Sequence, residues 1–145
     1  MEPGSTTREA LTKWLDDFSR VVANRDLQGT LQLFSNRTEV SVWPSETDLI
    51  AGRAEIETFF QSLYEQSFTI TWTWQPQIVS TIGNAAWVAT EGEEIYTREG
   101  DEQRYPYRVT AVFERDSERW LCLHFHGSEP ARHEEDTAYS ASRDS

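Results

Sequence analysis

The feature that most constrains the fold is a period of two that runs through the second half of the chain. Between Phe68 and Gly127, apolar residues alternate with polar ones in four segments separated by short turns. Such alternation is typical of β-strands with one buried face. Gly83 and Asn84 suit a two-residue hairpin loop, and Gly100 suits a second turn. This half is therefore predicted to form four long antiparallel strands.

The first half of the chain has a helical pattern instead. Apolar residues recur at helical spacing over residues 11–22, in a short stretch after Asp26, and over residues 56–63. A short strand over residues 39–43 ends at Pro44 and precedes the third helix. Helices followed by long antiparallel strands are typical of an α+β fold. We therefore expect a cone-shaped α+β domain, in which three N-terminal helices cover one face of a curved, mostly antiparallel sheet.

Composition excludes several classes of molecule. The chain has 145 residues, 37% of them apolar, which suits one domain with one core. Its formal net charge of −12 would repel a phosphate backbone, so nucleic acid is not expected as a partner. The longest apolar run, residues 85–89, is far too short for a membrane helix, and we expect a cytoplasmic protein with no membrane partner. The domain is placed at residues 6–130, between a flexible N-terminus at 1–5 and a polar C-terminal tail at 131–145.

The histidines are the sharpest chemical feature. His124 and His126 lie two apart on the last predicted strand, so both side chains point to the same side and can address one ligand. A metal would need further ligands, but the remaining histidine, His133, lies in the predicted tail and Cys122 is the only cysteine. We therefore expect no metal and no cofactor. The alternative to ligand binding is that both imidazoles are hydrogen-bonded within the sheet or lie at a subunit contact.

The turn at residues 116–118 decides which face the histidines take. A loop of two or four residues puts Tyr107 on the same side as His124 and His126, whereas a loop of three reverses this. We favour the first register, because a three-residue loop usually needs a glycine and the turn has none. A ligand-binding cavity would then have its polar end at these three side chains. Its apolar wall is predicted to be Trp14, Phe18 and Trp43.

The order of elements, together with three segments, resembles a known family. The segments are Trp43 and Pro44 before residues 50–52, GNAAWV at 83–88, and RWLCLHFHGSEP at 119–130. They resemble the SnoaL-like branch of the nuclear transport factor two (NTF2-like) superfamily, and also the association domain of calmodulin-dependent kinases. The resemblance implies the cone-shaped fold. It does not imply one activity, because the superfamily includes isomerases, dehydratases, epoxide hydrolases, polyketide cyclases and assembly domains.

Two functions remain open from the sequence. A binding or assembly module would hold a small molecule of apolar or mixed polarity without turnover. A cofactor-independent isomerase, dehydratase or cyclase would use an acid and a histidine as a pair in the cavity. Asp48 and Glu94 are the acids that can reach a cavity, although Glu94, with Glu91 and Glu93, is interpreted mostly as charged surface. Because no ionisable pair can be placed together, binding is favoured, and whether the chain is an enzyme stays open.

The second face of the sheet predicts a homodimer. Trp87 and its neighbours Ile78 and Ala89 fall on the face opposite to Val88 in the predicted hairpin. The helices cover only one face, so an apolar second face needs another cover. Arg108 faces away from the cavity in the favoured register, which suggests a subunit contact.

Overall fold

Two helices precede the sheet in the sequence, a third follows its first two short strands, and four long strands complete the sheet. The computed structural model describes residues 5–45 and 47–131, and the predicted terminal segments 1–5 and 131–145 lie outside these residues except for Ser5 and Ala131. The described elements are α1 (Ser5–Ala23), α2 (Leu27–Leu31), β1 (Ser41–Trp43), β2 (Ile50–Ala51), α3 (Arg53–Tyr64), β3 (Thr69–Ile82), β4 (Ala85–Arg98), β5 (Asp101–Asp116) and β6 (Arg119–Ser128). Since α2 has only five residues and α3 follows two strands, the helical layer is smaller than three full N-terminal helices.

Helix α1 packs its apolar stripe against the inner face of the sheet, as its spacing predicts. The stripe consists of Leu11, Trp14, Leu15, Phe18, Val21 and Val22, all buried. The Trp74 indole N–H donates to the carbonyl oxygen of Leu15 at 2.9 Å, and the backbone N–H of Trp72 donates to Ser19 Oγ at 2.9 Å. These bonds fix α1 over β3.

No helix in the described part of the chain is long and apolar enough to cross a membrane.

The sheet has the strand order β2-β1-β6-β5-β4-β3. Its neighbouring strands are antiparallel except for β1 and β6, which run parallel. The two-residue connections after β3, β4 and β5 lie where the sequence predicts turns, at residues 83–84, 99–100 and 117–118. The curved α+β architecture and the mostly antiparallel sheet are therefore confirmed.

The sheet bends where its strands carry irregularities. The pairing of β3 with β4 shifts between Pro76 and Ile78, at the break that Pro76 predicts. Further along, β3 and β4 approach so closely at Gly92 that an added Cβ would lie 1.8 Å from the carbonyl oxygen of Thr73. Only glycine allows this approach. The resulting curvature makes the inner face concave.

The two faces of the sheet differ as the hairpin at Gly83 and Asn84 predicts. Val79 pairs with Val88 on the inner face, and both are buried. Ile78 pairs with Ala89, and Trp87 pairs with Ser80, on the outer face. Ile78 is 46% exposed there. The outer face thus carries the apolar residues expected of it.

Candidate functional site

A cavity of about 210 Å³ lies between the helices and the concave face of the sheet. Helix α1 contributes Phe18, and α3 contributes Phe59, Phe60 and Leu63. The remaining walls come from the loop after β1, from the connection between α3 and β3, and from strands β1, β3, β4, β5 and β6. Most lining residues are aromatic or aliphatic. Among the described residues that line the cavity, Glu94 is the single carboxylate, and none is Lys, Arg or His.

Glu94 is the polar centre of the cavity. It is 4% exposed. The indole N–H of Trp72 donates to Glu94 Oε2 at 2.9 Å, and the hydroxyl of Tyr96 donates to Glu94 Oε1 at 2.9 Å. Donors directed at both oxygens are suited to a carboxylate, because an ionised carboxyl group only accepts hydrogen bonds.

The expectation that Glu94 belongs to a charged surface is wrong. Strand β4 alternates regularly, so Glu94 lies on the same inner face as Val88 and Thr90, all of them buried. Glu91 is exposed, and Glu93 bonds to Arg104 at 3.1 Å. Counting by twos from Val88 in the sequence would have identified Glu94 as the inward-facing acid of the three.

Tyr107 lines the cavity and is only 5% exposed. Its ring lies across the neighbouring strand β6 at Gly127, where an added Cβ would be 2.0 Å from the Tyr107 hydroxyl oxygen. Gly127 therefore provides the space that the phenol occupies. Nothing in the sequence pattern pointed to this contact, because Tyr107 and Gly127 are not directly paired.

Of the three residues predicted to form an apolar wall, one lies beside this cavity. Phe18 lines the cavity. Trp14 stacks on Phe18 with ring centroids 5.3 Å apart, but it lies in the core behind Phe18 and donates to the carbonyl oxygen of Leu33. Trp43 lies on the other side of β1 and is 43% exposed. Its neighbour Val42 lines the cavity instead. Asp48, the other candidate acid, is exposed and does not line the cavity.

The expectation that Tyr107 shares a sheet face with His124 and His126 is wrong. The turn has the predicted two residues, and Phe113 pairs with Cys122 as that register requires. The next pair is Val112 with His124, so β6 contains a bulge at Leu123. One extra residue reverses the faces of all residues beyond it. Phe125 consequently lines the cavity, and both histidines lie on the outer face.

On the outer face the histidines contact strand β1. Ser41 Oγ is 2.7 Å from His124 Nδ1, and the imidazole of His126 stacks on Trp43 with centroids 5.5 Å apart. Burial lowers the pKa of His124, the nearby His126 lowers it further, and a hydrogen bond with Ser41 partly offsets both. This environment agrees with the alternative interpretation, in which the imidazoles are held within the sheet.

Comparisons with solved structures identify the same fold. A candidate dehydratase of the NTF2-like family from Streptomyces avermitilis superimposes with a TM-score of 0.79 at 17% identity, over 89% of this chain and 100% of that one. A candidate aromatic ring hydroxylase from Novosphingobium aromaticivorans gives a TM-score of 0.79 at 13% identity, over 90% and 94%. A candidate calcium/calmodulin-dependent kinase II association domain from Thiobacillus denitrificans gives 0.71 at 17% identity, over 83% and 94%. At these identities the similarity establishes the fold and not an activity.

The sequence itself identifies the family. No curated protein matches it. The family model of the SnoaL-like domain matches residues 11–132, which include every strand of the sheet and the whole lining of the cavity. The chain therefore belongs to the SnoaL-like domain family, and it shares its fold with solved structures that are called NTF2-like.

Proposed function

We propose that the chain binds a small, largely apolar molecule in the cavity, with a polar group of that molecule against Glu94. The observation that carries this proposal is a buried carboxylate within an aromatic lining. A group placed only for packing would be apolar, because taking a carboxylate out of water costs free energy that hydrogen bonds without an opposite charge offset only in part. Trp72 and Tyr96 supply such bonds. A carboxylate supported in this way is typical of a small-molecule site.

The same carboxylate supports a second candidate, a cofactor-independent isomerase or dehydratase. A general base must lie within hydrogen-bond reach of the proton that it removes, and Glu94 faces the cavity in which a substrate would lie. The protein from Streptomyces avermitilis with the same fold is named as a candidate dehydratase. The histidines lie outside the cavity, so catalysis would use Glu94 with the phenols of Tyr96 or Tyr107 in place of an acid–histidine pair.

Binding is tested by displacement of an apolar dye. N-phenyl-1-naphthylamine fluoresces strongly only in apolar surroundings, so a saturable rise in emission on titration would report the cavity. Leu63→Trp places a larger side chain in the cavity wall and is expected to weaken dye binding at least tenfold. The matched control is Ile82→Trp at a position that is 77% exposed, which should bind as the wild type does. Equal binding by both variants would contradict the cavity as the site.

We also propose that the outer face of the sheet forms a homodimer. Two adjacent rows of paired residues cross this face, and none of their members is Asp, Glu, Lys or Arg, although 26% of the chain is charged. The rows are Ser80, Trp87, Val112, His124 and Ser41, and Ile78, Ala89, Thr110, His126 and Trp43. An uncharged patch is where two copies of a chain with a net charge of −12 repel each other least. Arg108 lies beside the rows, opposite Glu91.

Sedimentation tests the dimer with two matched variants. Ile78 lies within the rows and Leu49 lies outside them, and each is 46% exposed. We expect the wild type and Leu49→Glu to sediment as dimers at tens of micromolar protein, and Ile78→Glu to sediment as a monomer, because the new carboxylate would be buried at the contact. A monomeric wild type would contradict the proposal.

Cytoplasmic localisation stays a prediction from the sequence.

A further inference from the structure

We propose that the cavity selects its ligand by charge, and takes an aromatic molecule that carries a protonated amine. This inference rests on the proposed binding function and names the ligand class. The cavity should also accept a neutral hydroxyl that donates a hydrogen bond, with lower affinity. It should reject an aromatic carboxylate of the same size.

The first argument is the sign of the charge in the lining. The described side chains around the cavity include the Glu94 carboxylate and no cationic group. An ammonium group next to that carboxylate would form a charge-assisted hydrogen bond, which is about twice as strong as a neutral one. A ligand carboxylate would instead face a like charge in a medium that screens poorly.

The second argument is the aromatic character of the walls. Trp72, Tyr96 and Tyr107 line the cavity together with Glu94. The face of an aromatic ring attracts a cation, by roughly 0.5–2 kcal/mol. Trp72 is stacked between Phe18 and Trp74, with ring centroids 5.1 and 5.7 Å away, so it holds the carboxylate by its N–H and does not present its face to the ligand. The attraction for a cation and the stacking surface for an aromatic ligand body are therefore assigned to the two tyrosines.

The third argument is that the carboxylate is preorganised. Its two oxygens are fixed by donors from two strands, Trp72 on β3 and Tyr96 on β4. An acceptor that is already oriented loses little conformational freedom when the ligand binds. The net charge of −12 on the whole chain adds a long-range attraction for cations.

Four naphthalenes of nearly equal size test the inference by displacement of N-phenyl-1-naphthylamine at pH 7. They are 1-naphthylmethylamine, 1-naphthalenemethanol, 1-methylnaphthalene and 1-naphthoic acid, which are cationic, neutral with a donor, neutral without one, and anionic. We expect the amine to bind at least tenfold more tightly than 1-methylnaphthalene. The affinity for the alcohol should lie between the affinities for the amine and for 1-methylnaphthalene, and the acid should bind most weakly.

Two charge-removing variants assign the selectivity to its residue. Glu94→Gln should lower the affinity for the amine at least tenfold and leave the affinity for 1-methylnaphthalene within twofold. Glu91→Gln makes the same change of charge at an exposed position of the same strand, and should leave all four affinities unchanged. Circular dichroism verifies that each variant is folded. If Glu94→Gln does not fold, the order of the four wild-type affinities still tests whether the cavity selects its ligand by charge.

The failure of this inference can be told apart from the failure of the binding function. If all four compounds bind and the acid equals the amine, or if folded Glu94→Gln keeps the preference for the amine, selection by charge is wrong and the binding function stands. If neither the dye nor any of the four compounds binds to the wild type, both proposals are wrong.

Discussion

An alanine in place of Gly127 would show how firmly the protein holds Tyr107 at the cavity wall. The added methyl carbon would lie 2.0 Å from the Tyr107 hydroxyl oxygen and 2.6 Å from the ring carbon that bears it. Ordinary contact begins at 3.4 Å, so the ring must move by roughly 1 Å or more. Tyr107 is 5% exposed, so its ring cannot move out into bulk solvent, and the space open to it is the cavity that it lines.

The expected cost follows from two opposing terms. Overpacking of a well-packed core costs about 1–3 kcal/mol. Gly127 does not have a positive φ, so alanine suits its backbone and would gain about 0.4–1 kcal/mol by restricting the unfolded chain. The free energy of unfolding should therefore fall by about 1–2 kcal/mol, and the dye should bind more weakly because the displaced ring narrows the cavity.

Urea unfolding of a double-mutant cycle measures this cost. In a Tyr107→Leu background the added methyl has no ring to meet, so Gly127→Ala should there be neutral or slightly stabilising. Gly100→Ala is the control, because an added Cβ at Gly100 meets nothing within 4 Å. Its cost comes from the backbone alone, since Gly100 has a φ of 87° that alanine rarely adopts. Its cost should be the same in both backgrounds. An equal cost of Gly127→Ala in both backgrounds would refute the argument that Tyr107 is what the methyl meets.

Three further predictions concern single residues. Burial raises the pKa of the Cys122 thiol, so native protein should not react with Ellman's reagent, and labelling should follow the fraction unfolded in urea; prompt labelling without denaturant would contradict the burial. The pKa of His124 is lowered in the fold, mainly by burial, so the unfolded chain binds the proton more readily, and stability should fall as pH drops below 6.5. His124→Gln should flatten that pH dependence of the melting temperature, and an unchanged profile would mean that another group is responsible. Gly92→Ala should cost more than about 3 kcal/mol or abolish folding, because its Cβ would meet the backbone of Thr73, and a melting temperature within a few degrees of the wild type would contradict that close approach.

The long elements were predictable because each carries enough residues to show a period. Strands β3 to β6 have 10 to 16 residues, and the predicted hairpin at Gly83 and Asn84 fixed the faces of β3 and β4. The two-residue strand β2 is too short to show any alternation, so it was not predicted. The parallel pairing of β1 with β6 was missed because it joins segments that are distant in the sequence.

The site was predictable only in part, since it depends on one irregularity. Periodicity alone puts Tyr107 and Phe18 on the buried faces of their elements, where both line the cavity, but the bulge at Leu123 has no glycine or proline to mark it. The bulge lies between the pair Phe113–Cys122 and the pair Val112–His124. His124 is also the first residue of β6 that pairs with β1, so a contact distant in the sequence accompanies the bulge. Glu94 is hard to predict for a different reason. It stands in a cluster of three glutamates at 91–94, and such clusters are usually solvated, although the alternation of β4 puts Glu94 alone on the inner face.

The parallel pair of β1 and β6 has a consequence for how the chain folds. Ser41 pairs with His124, and the strands between them build the rest of the sheet. During synthesis, β1 and β2 therefore emerge long before their partner exists, and they can join the sheet only after β6 leaves the ribosome. Closing so long a loop costs entropy before the new contacts form, which slows folding. The edge made by β1 and β2 is thus expected to be the last part of the sheet to form.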